Sequence, residues 1–148
     1  MLISKRSFIV RIVAFVLVFI MIVPIGANAT EVQPRASYYL DSYGAYVYRP
    51  GLGRAQVYFH VAGTDYMDEL GALKIYLYES SDGGATWTWK KTFTHDSTSG
   101  MLSYNDDYHS GHVTYWGSSS MIYKAYVCVW GGKNGEGDTR YFWAYEQT

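Results

Sequence analysis

The sequence predicts an all-β fold, an antiparallel two-sheet sandwich of seven or eight strands, and three observations predict it. After residue 29, apolar and polar residues alternate in short runs, the pattern of half-buried strands. Clusters of Gly, Ser, Asn and Asp separate those runs, and these residues supply the conformations that turns need. All 16 tyrosines and all five tryptophans fall in the same part of the chain, and aromatic side chains suit a pleated surface. No segment there sustains a helical period.

The first element is of another kind. Lys5, Arg6 and Arg11 precede an unbroken apolar run from Ile12 to Val23, then Pro24 and Gly26, then Ala27-Asn28-Ala29. A basic stretch, a short apolar stretch and a small-x-small site in that order read as a secretory signal peptide, with a helix over about 8–25 and cleavage after Ala29. The run is short for a membrane span. The chain thus divides into a leader, 1–29, and one secreted domain, 30–148, which meets the membrane only through its leader before cleavage.

The strands follow in order. The first spans about Tyr39 to Tyr48, and Arg49 to Gly53 connects it to the second, about Arg54 to Ala62, with Val57, Phe59 and Val61 on one face. Gly63 to Glu69 reads as a polar loop. The third runs from about Gly71 to Glu79, with Leu73, Ile75 and Leu77 inward, and the fourth from about Thr86 to Thr94. Shorter strands are expected at about Gly100 to Tyr104 and His112 to Trp116. The seventh covers about Ile122 to Trp130, with Ala125, Val127 and Val129 inward. The last, about Thr139 to Tyr145, follows a glycine-rich loop, Gly131 to Asp138. Tyr123-x-Ala125-x-Val127-x-Val129 resembles strand F of an immunoglobulin-like or fibronectin-like sandwich with a tyrosine corner at its start.

Charge and cysteine usage narrow the function. The leader holds three of the 12 basic residues and none of the 13 acidic ones, leaving the secreted domain nine against 13, a net charge of −4. That argues against a nucleic-acid footprint, which needs a basic stripe, and against docking on anionic lipid. The single cysteine, Cys128, lies in an apolar strand and reads as a small buried hydrophobe. With no internal disulfide, stability must come from packing. No pattern implies a cofactor.

Several motifs bear on chemistry. Ser80-Ser81-Asp82-Gly83-Gly84-Ala85-Thr86-Trp87 resembles the Asp box of sialidases and related propellers, S-x-D-x-G-x-T-W. In those families the box is a folding element, with Ser80 and Asp82 expected to bond turn amides, Gly84 to supply a positive φ, and Thr86 and Trp87 to complete a hairpin. His109 and His112, beside Asp106 and Asp107, are weak candidates for a metal or an acid–base hydrolase. On a strand, positions i and i+3 point to opposite faces, so this pair converges only through a bulge. His95-Asp96 beside Ser97 lacks the surroundings of a nucleophile, and Lys133 to Asp138 misses the spacing of a calcium loop.

The functional signal is a face. With the aliphatic residues inward, Tyr76, Tyr78, Tyr126 and Trp130 point outward, and Tyr141 and Trp143 join them if the third, seventh and last strands are neighbours. Such an aromatic surface, beside Lys74 and Lys124, suits a glycan or a protein partner.

Longer stretches are similar to an uncharacterised family of small secreted proteins of Gram-positive, often gut-dwelling, bacteria. They include Asp68-Glu69-Leu70-Gly71-Ala72-Leu73, Phe93-Thr94-His95-Asp96-Ser97-Thr98-Ser99-Gly100-Met101-Leu102 and Gly137-Asp138-Thr139-Arg140. The resemblance implies a signal peptide and one β domain, and transfers no catalytic residue. Tyr108-His109-Ser110-Gly111-His112-Val113 resembles a stretch of the lactococcin-type sandwich bacteriocins. The expectation is therefore a secreted, non-catalytic β domain, free or held at the cell wall, that binds a glycan or protein of the envelope. A bacteriocin-like antagonist and a small hydrolase are the alternatives.

Overall fold

The computed structural model describes residues 37–147, and the leader helix and cleavage site expected in 1–29 lie outside them. Six strands follow in chain order: β1 Leu40–Gly51, β2 Arg54–Ser80, β3 Thr88–Thr94, β4 Leu102–Trp116, β5 Ile122–Lys133 and β6 Glu136–Tyr145. They form one antiparallel sheet.

The sheet is organised by β2, which is 27 residues long. Its first half pairs with β1 on one side and β4 on the other, with Val57 opposite both Val47 and Val113. Its second half pairs with β3 and β5, with Ile75 opposite both Phe93 and Val127. Beyond β5 lies β6. The sheet curls until its ends meet. Val47 bridges Glu146, the Gln147 N–H donates to the Val47 carbonyl at 3.1 Å, and Arg49 pairs with Glu146. Tyr43 of β1 lies 5.2 Å from Phe142 of β6, ring centre to ring centre.

Six strands replace the expected seven or eight because two polar segments are strand rather than loop. Gly63 to Glu69 continues β2, burying Met67 and passing straight into buried Leu70. The interval between the fifth and sixth expected strands is likewise part of β4, where Asp106 pairs with Met67 and His109 with Val61. Among the described residues β4 pairs only with β2, so one side of it is a sheet edge, where polar side chains are tolerated.

The inward faces merge into one core. Val57, Phe59 and Val61 from the first half of β2 meet Ile75, Leu77, Val127, Val129 and Phe142 in a single buried cluster. Burying each large aliphatic side chain contributes about 1.5–3 kcal/mol. Leu73, expected among them, is only half-buried. A bulge between Ala72 and Lys74 shifts the alternation, and Ala72 is buried in its place. Cys128 is buried as a free thiol, and burial pushes its pKa up.

Two connections explain the ends of β5. Tyr123 is 1% exposed, and its phenol donates to the Ser118 carbonyl at 3.2 Å and accepts from the Ser118 N–H at 3.0 Å, pinning the β4–β5 connection. The loop expected at Gly131 to Asp138 is a two-residue turn. Asn134 (φ 57°) and Gly135 (φ 79°) both take the left-handed conformation, and Lys133 pairs with Glu136.

Candidate functional site

The outward face of the second half of the sheet carries a continuous aromatic ladder. Pairing sets Tyr126 beside Tyr76 on β2 and Trp143 on β6, and Cys128 beside Tyr141. Tyr126 is 6.5 Å from Tyr76, 5.8 Å from Tyr141 and 4.9 Å from Trp143, and Trp143 is 5.5 Å from Tyr78. Most of these spacings approach the distance between neighbouring strands. Tyr126 and Tyr141 stack within 23° of parallel, and the other three pairs are tilted by 36–56°. Tyr141 is the most open of the five, at 57% exposure.

A cation locks one end of the ladder. The Lys124 ammonium lies 4.3 Å from the Trp143 ring centre and 4.5 Å from that of Trp87. Such contacts are worth about 0.5–1 kcal/mol each at exposed positions. They join the ladder to the β2–β3 turn. Beneath Tyr141, the phenol and the Cys128 thiol share a hydrogen bond that raises the Tyr141 pKa.

Side-chain hydrogen bonds hold the β2–β3 turn together. Buried Ser80 donates to Asp82 at 2.6 Å and accepts from the Gly84 N–H at 2.9 Å. Asp82 also accepts from the Thr86 N–H at 2.9 Å and the Thr86 hydroxyl at 2.5 Å. The Ser80 and Thr86 hydroxyls hold the Asp82 carboxyl well below its ordinary range. Gly84 has φ 95°, and the Trp87 ring packs beside it.

Trp130 shares the ladder's face but not its contacts. Cys128 separates it from Tyr126 along β5, and none of the ring pairs includes it. Its indole instead lies across Gly132 and Gly137, beside a depression of about 480 Å³ that also borders Glu69 and Tyr104.

The two candidate histidines diverge. His109 shares a 2.9 Å hydrogen bond with the Gly100 carbonyl and lies 5.7 Å from the core ring of Phe59. His112 stacks on Tyr58 at 5.0 Å on the outer face. No bulge turns them together, and neither Asp106 nor Asp107 completes a cluster with them. Among the described residues no group of three His, Cys, Asp or Glu side chains could hold a metal. His95 lies 3.6 Å from Asp96, while Ser97 bonds back to Thr94, so those three form a turn.

One aromatic cluster was missed in the sequence. On the outer face of the first half, Tyr46 stacks on Tyr58 at 5.2 Å and 9°, and Tyr58 on His112. With His60, Tyr108 and Ser110 they line a depression of about 380 Å³. The alternation of Gln56, Tyr58 and His60 opposite Val57, Phe59 and Val61 carried that signal.

No protein-family model and no curated protein matches the chain. Two solved structures are similar at a distance. One is the sporulation control protein Spo0M from Bacillus subtilis, at 8% identity and TM-score 0.40, covering 72% of this chain and 49% of that one. The other is a family 76 glycoside hydrolase from a bovine Bacteroides thetaiotaomicron strain, at 13% identity and TM-score 0.31, covering 73% of this chain and 20% of that one. This chain thus matches about half of the first and a fifth of the second.

Proposed function

We propose that this protein is a secreted, non-catalytic β domain that binds a glycan or a protein at the cell envelope through the Tyr78–Trp143–Tyr126–Tyr141 ladder. The observation that carries the reading is the continuity of those rings across three strands on the outward face. Tyrosine rings combine apolar area with a hydroxyl and lose little side-chain entropy on contact, which suits a recognition surface. The Lys124 clamp and the hydrogen-bonded Asp box fix the ladder in place before any partner arrives. In this reading the curled sheet works as an immunoglobulin-like sandwich with the ladder on one layer, a reading supported by the single core and the Tyr123 corner. The leader delivers it outside the membrane, where it is released or retained at the wall.

Pulldown on isolated cell envelopes tests the proposal. Wild-type protein should be retained, and Tyr141→Ala together with Trp143→Ala should lower retention at least five-fold while the thermal transition stays within a few degrees. Digestion of the envelope with glycosidases or with protease then identifies the partner class. Equal retention of the folded double variant would refute the ladder as the contact surface.

A further inference from the structure

The residues around Trp130 form a site separate from the ladder. A Cβ on either Gly132 or Gly137 would come within 2.5 Å of the indole, so both positions must be glycine for the ring to rest on the sheet. Lying across two neighbouring strands, the ring has one face against backbone and the other turned away from it. Glu69 is paired with Gly132 on one side and Tyr104 on the other, at the place where the two halves of the sheet share β2. Tyr104 is 64% exposed. The indole is thus an aromatic floor over β5 and β6, and Tyr104 stands on the far side of Glu69, on β4. A cation resting on the free face of the indole lies within the roughly 6 Å reach of a cation–π contact, with the Glu69 carboxylate beside it.

The charge of the depression agrees. Asp68, Glu69 and Glu136 border it together with the two rings. Asp68 accepts from the Asn134 N–H at 2.6 Å, and Glu136 from the Tyr39 phenol at 3.0 Å, so these two carboxylates are held in place. The nearby ammonium of Lys133 pairs with Asp65 at 2.6 Å instead. None of the described basic side chains forms an ion pair with Asp68, Glu69 or Glu136. We propose that the Trp130–Glu69–Tyr104 depression, about 480 Å³ in volume, binds an organic ammonium group on the free face of the indole, beside the Glu69 carboxylate. A metal ion would use the carboxylates alone; the aromatic floor suits a cation carrying carbon. A neutral apolar ligand would leave Glu69 unanswered.

Choline chloride is the probe, titrated into the secreted protein with two-dimensional NMR of the five tryptophan indole N–H groups. The indole of Trp130, assigned by its absence in Trp130→Phe, should shift and saturate, and those of Trp87 and Trp143 should stay still. Glu69→Gln, an isosteric change at an exposed position, should weaken binding at least ten-fold in a protein with unchanged spectra elsewhere. The double variant of the ladder should bind choline as wild type does, so failure here and failure of the envelope reading are distinguishable. No saturable shift at Trp130 would overturn the proposal. So would equal binding of the neutral isostere 3,3-dimethyl-1-butanol, or calcium alone saturating the same signals.

Discussion

Tyr123→Phe tests the closure of the β4–β5 connection. The change deletes one oxygen that makes two hydrogen bonds, both to Ser118, and leaves the ring in place against Tyr115, 6.2 Å away. A typical internal hydrogen bond nets about 0.5–1.5 kcal/mol, so the pair is worth about 1–3 kcal/mol. Ser118 itself is exposed, so water takes up its freed N–H and carbonyl, and the expected loss is about 1–1.5 kcal/mol. Urea melts should show a lower midpoint with an unchanged slope. Burial, first among the causes, raises the Tyr123 pKa above its ordinary value of 10.0. The folded state then holds this proton more tightly than the unfolded chain, and stability falls as pH rises above about 10. Tyr123→Phe should remove part of that alkaline loss. A change below about 0.5 kcal/mol at neutral pH, with an unaltered alkaline slope, would refute the reasoning. Gly117→Ala should mimic the effect, because a Cβ there collides with the same phenol oxygen.

Three further outcomes are expected. Ile75→Ala and Phe59→Ala, in opposite halves of the sheet, should each cost about 2–5 kcal/mol and each show one cooperative transition by fluorescence and circular dichroism alike, since one core joins them. Asp82→Ala should destabilise the fold by freeing the Thr86 N–H. Because the carboxyl pKa is depressed, the wild-type advantage should be present above the ordinary 3.8 and fade as pH falls below it, which acid titrations of both proteins would show. N-terminal sequencing of exported protein should begin at Thr30, and an intact Met1 would overturn the leader assignment.

The sequence carried the inward faces of the strands because alternation is a local signal. Val57, Phe59 and Val61, and Ala125, Val127 and Val129, all lie in the core as their spacing predicts. It misled where alternation changes phase. Along β2 the buried set moves from Val61 to Met67, then Leu70 and Ala72, then Ile75, and a bulge resets the register between Ala72 and Lys74. A strict period of two across that stretch puts Leu73 inside and makes Gly63 to Glu69 a loop. The Asn134-Gly135 turn was legible, because Asn-Gly between alternating runs favours a two-residue hairpin. The glycines on either side masked it, and their role is set by Trp130, a contact that no local pattern reveals. The ladder was legible in membership except for Trp130, which rests on Gly132 and Gly137 instead, and its ring tilts were not, since they depend on neighbours across strands.

The hub position of β2 has a consequence for the order of events as the chain folds. β1, β3, β4 and β5 all take their pairing from β2, and only the β5–β6 hairpin can assemble without it. Threaded from its N-terminus, the chain presents β2 early, while the last partner for its second half arrives some 40 residues later. Until then an apolar strand waits with one open side. Pairings between segments so far apart are slow to close because loop entropy comes before any contact reward. The interval before β5 arrives is when misassembly is most expected, so a holding factor would act on β2 rather than on the finished domain.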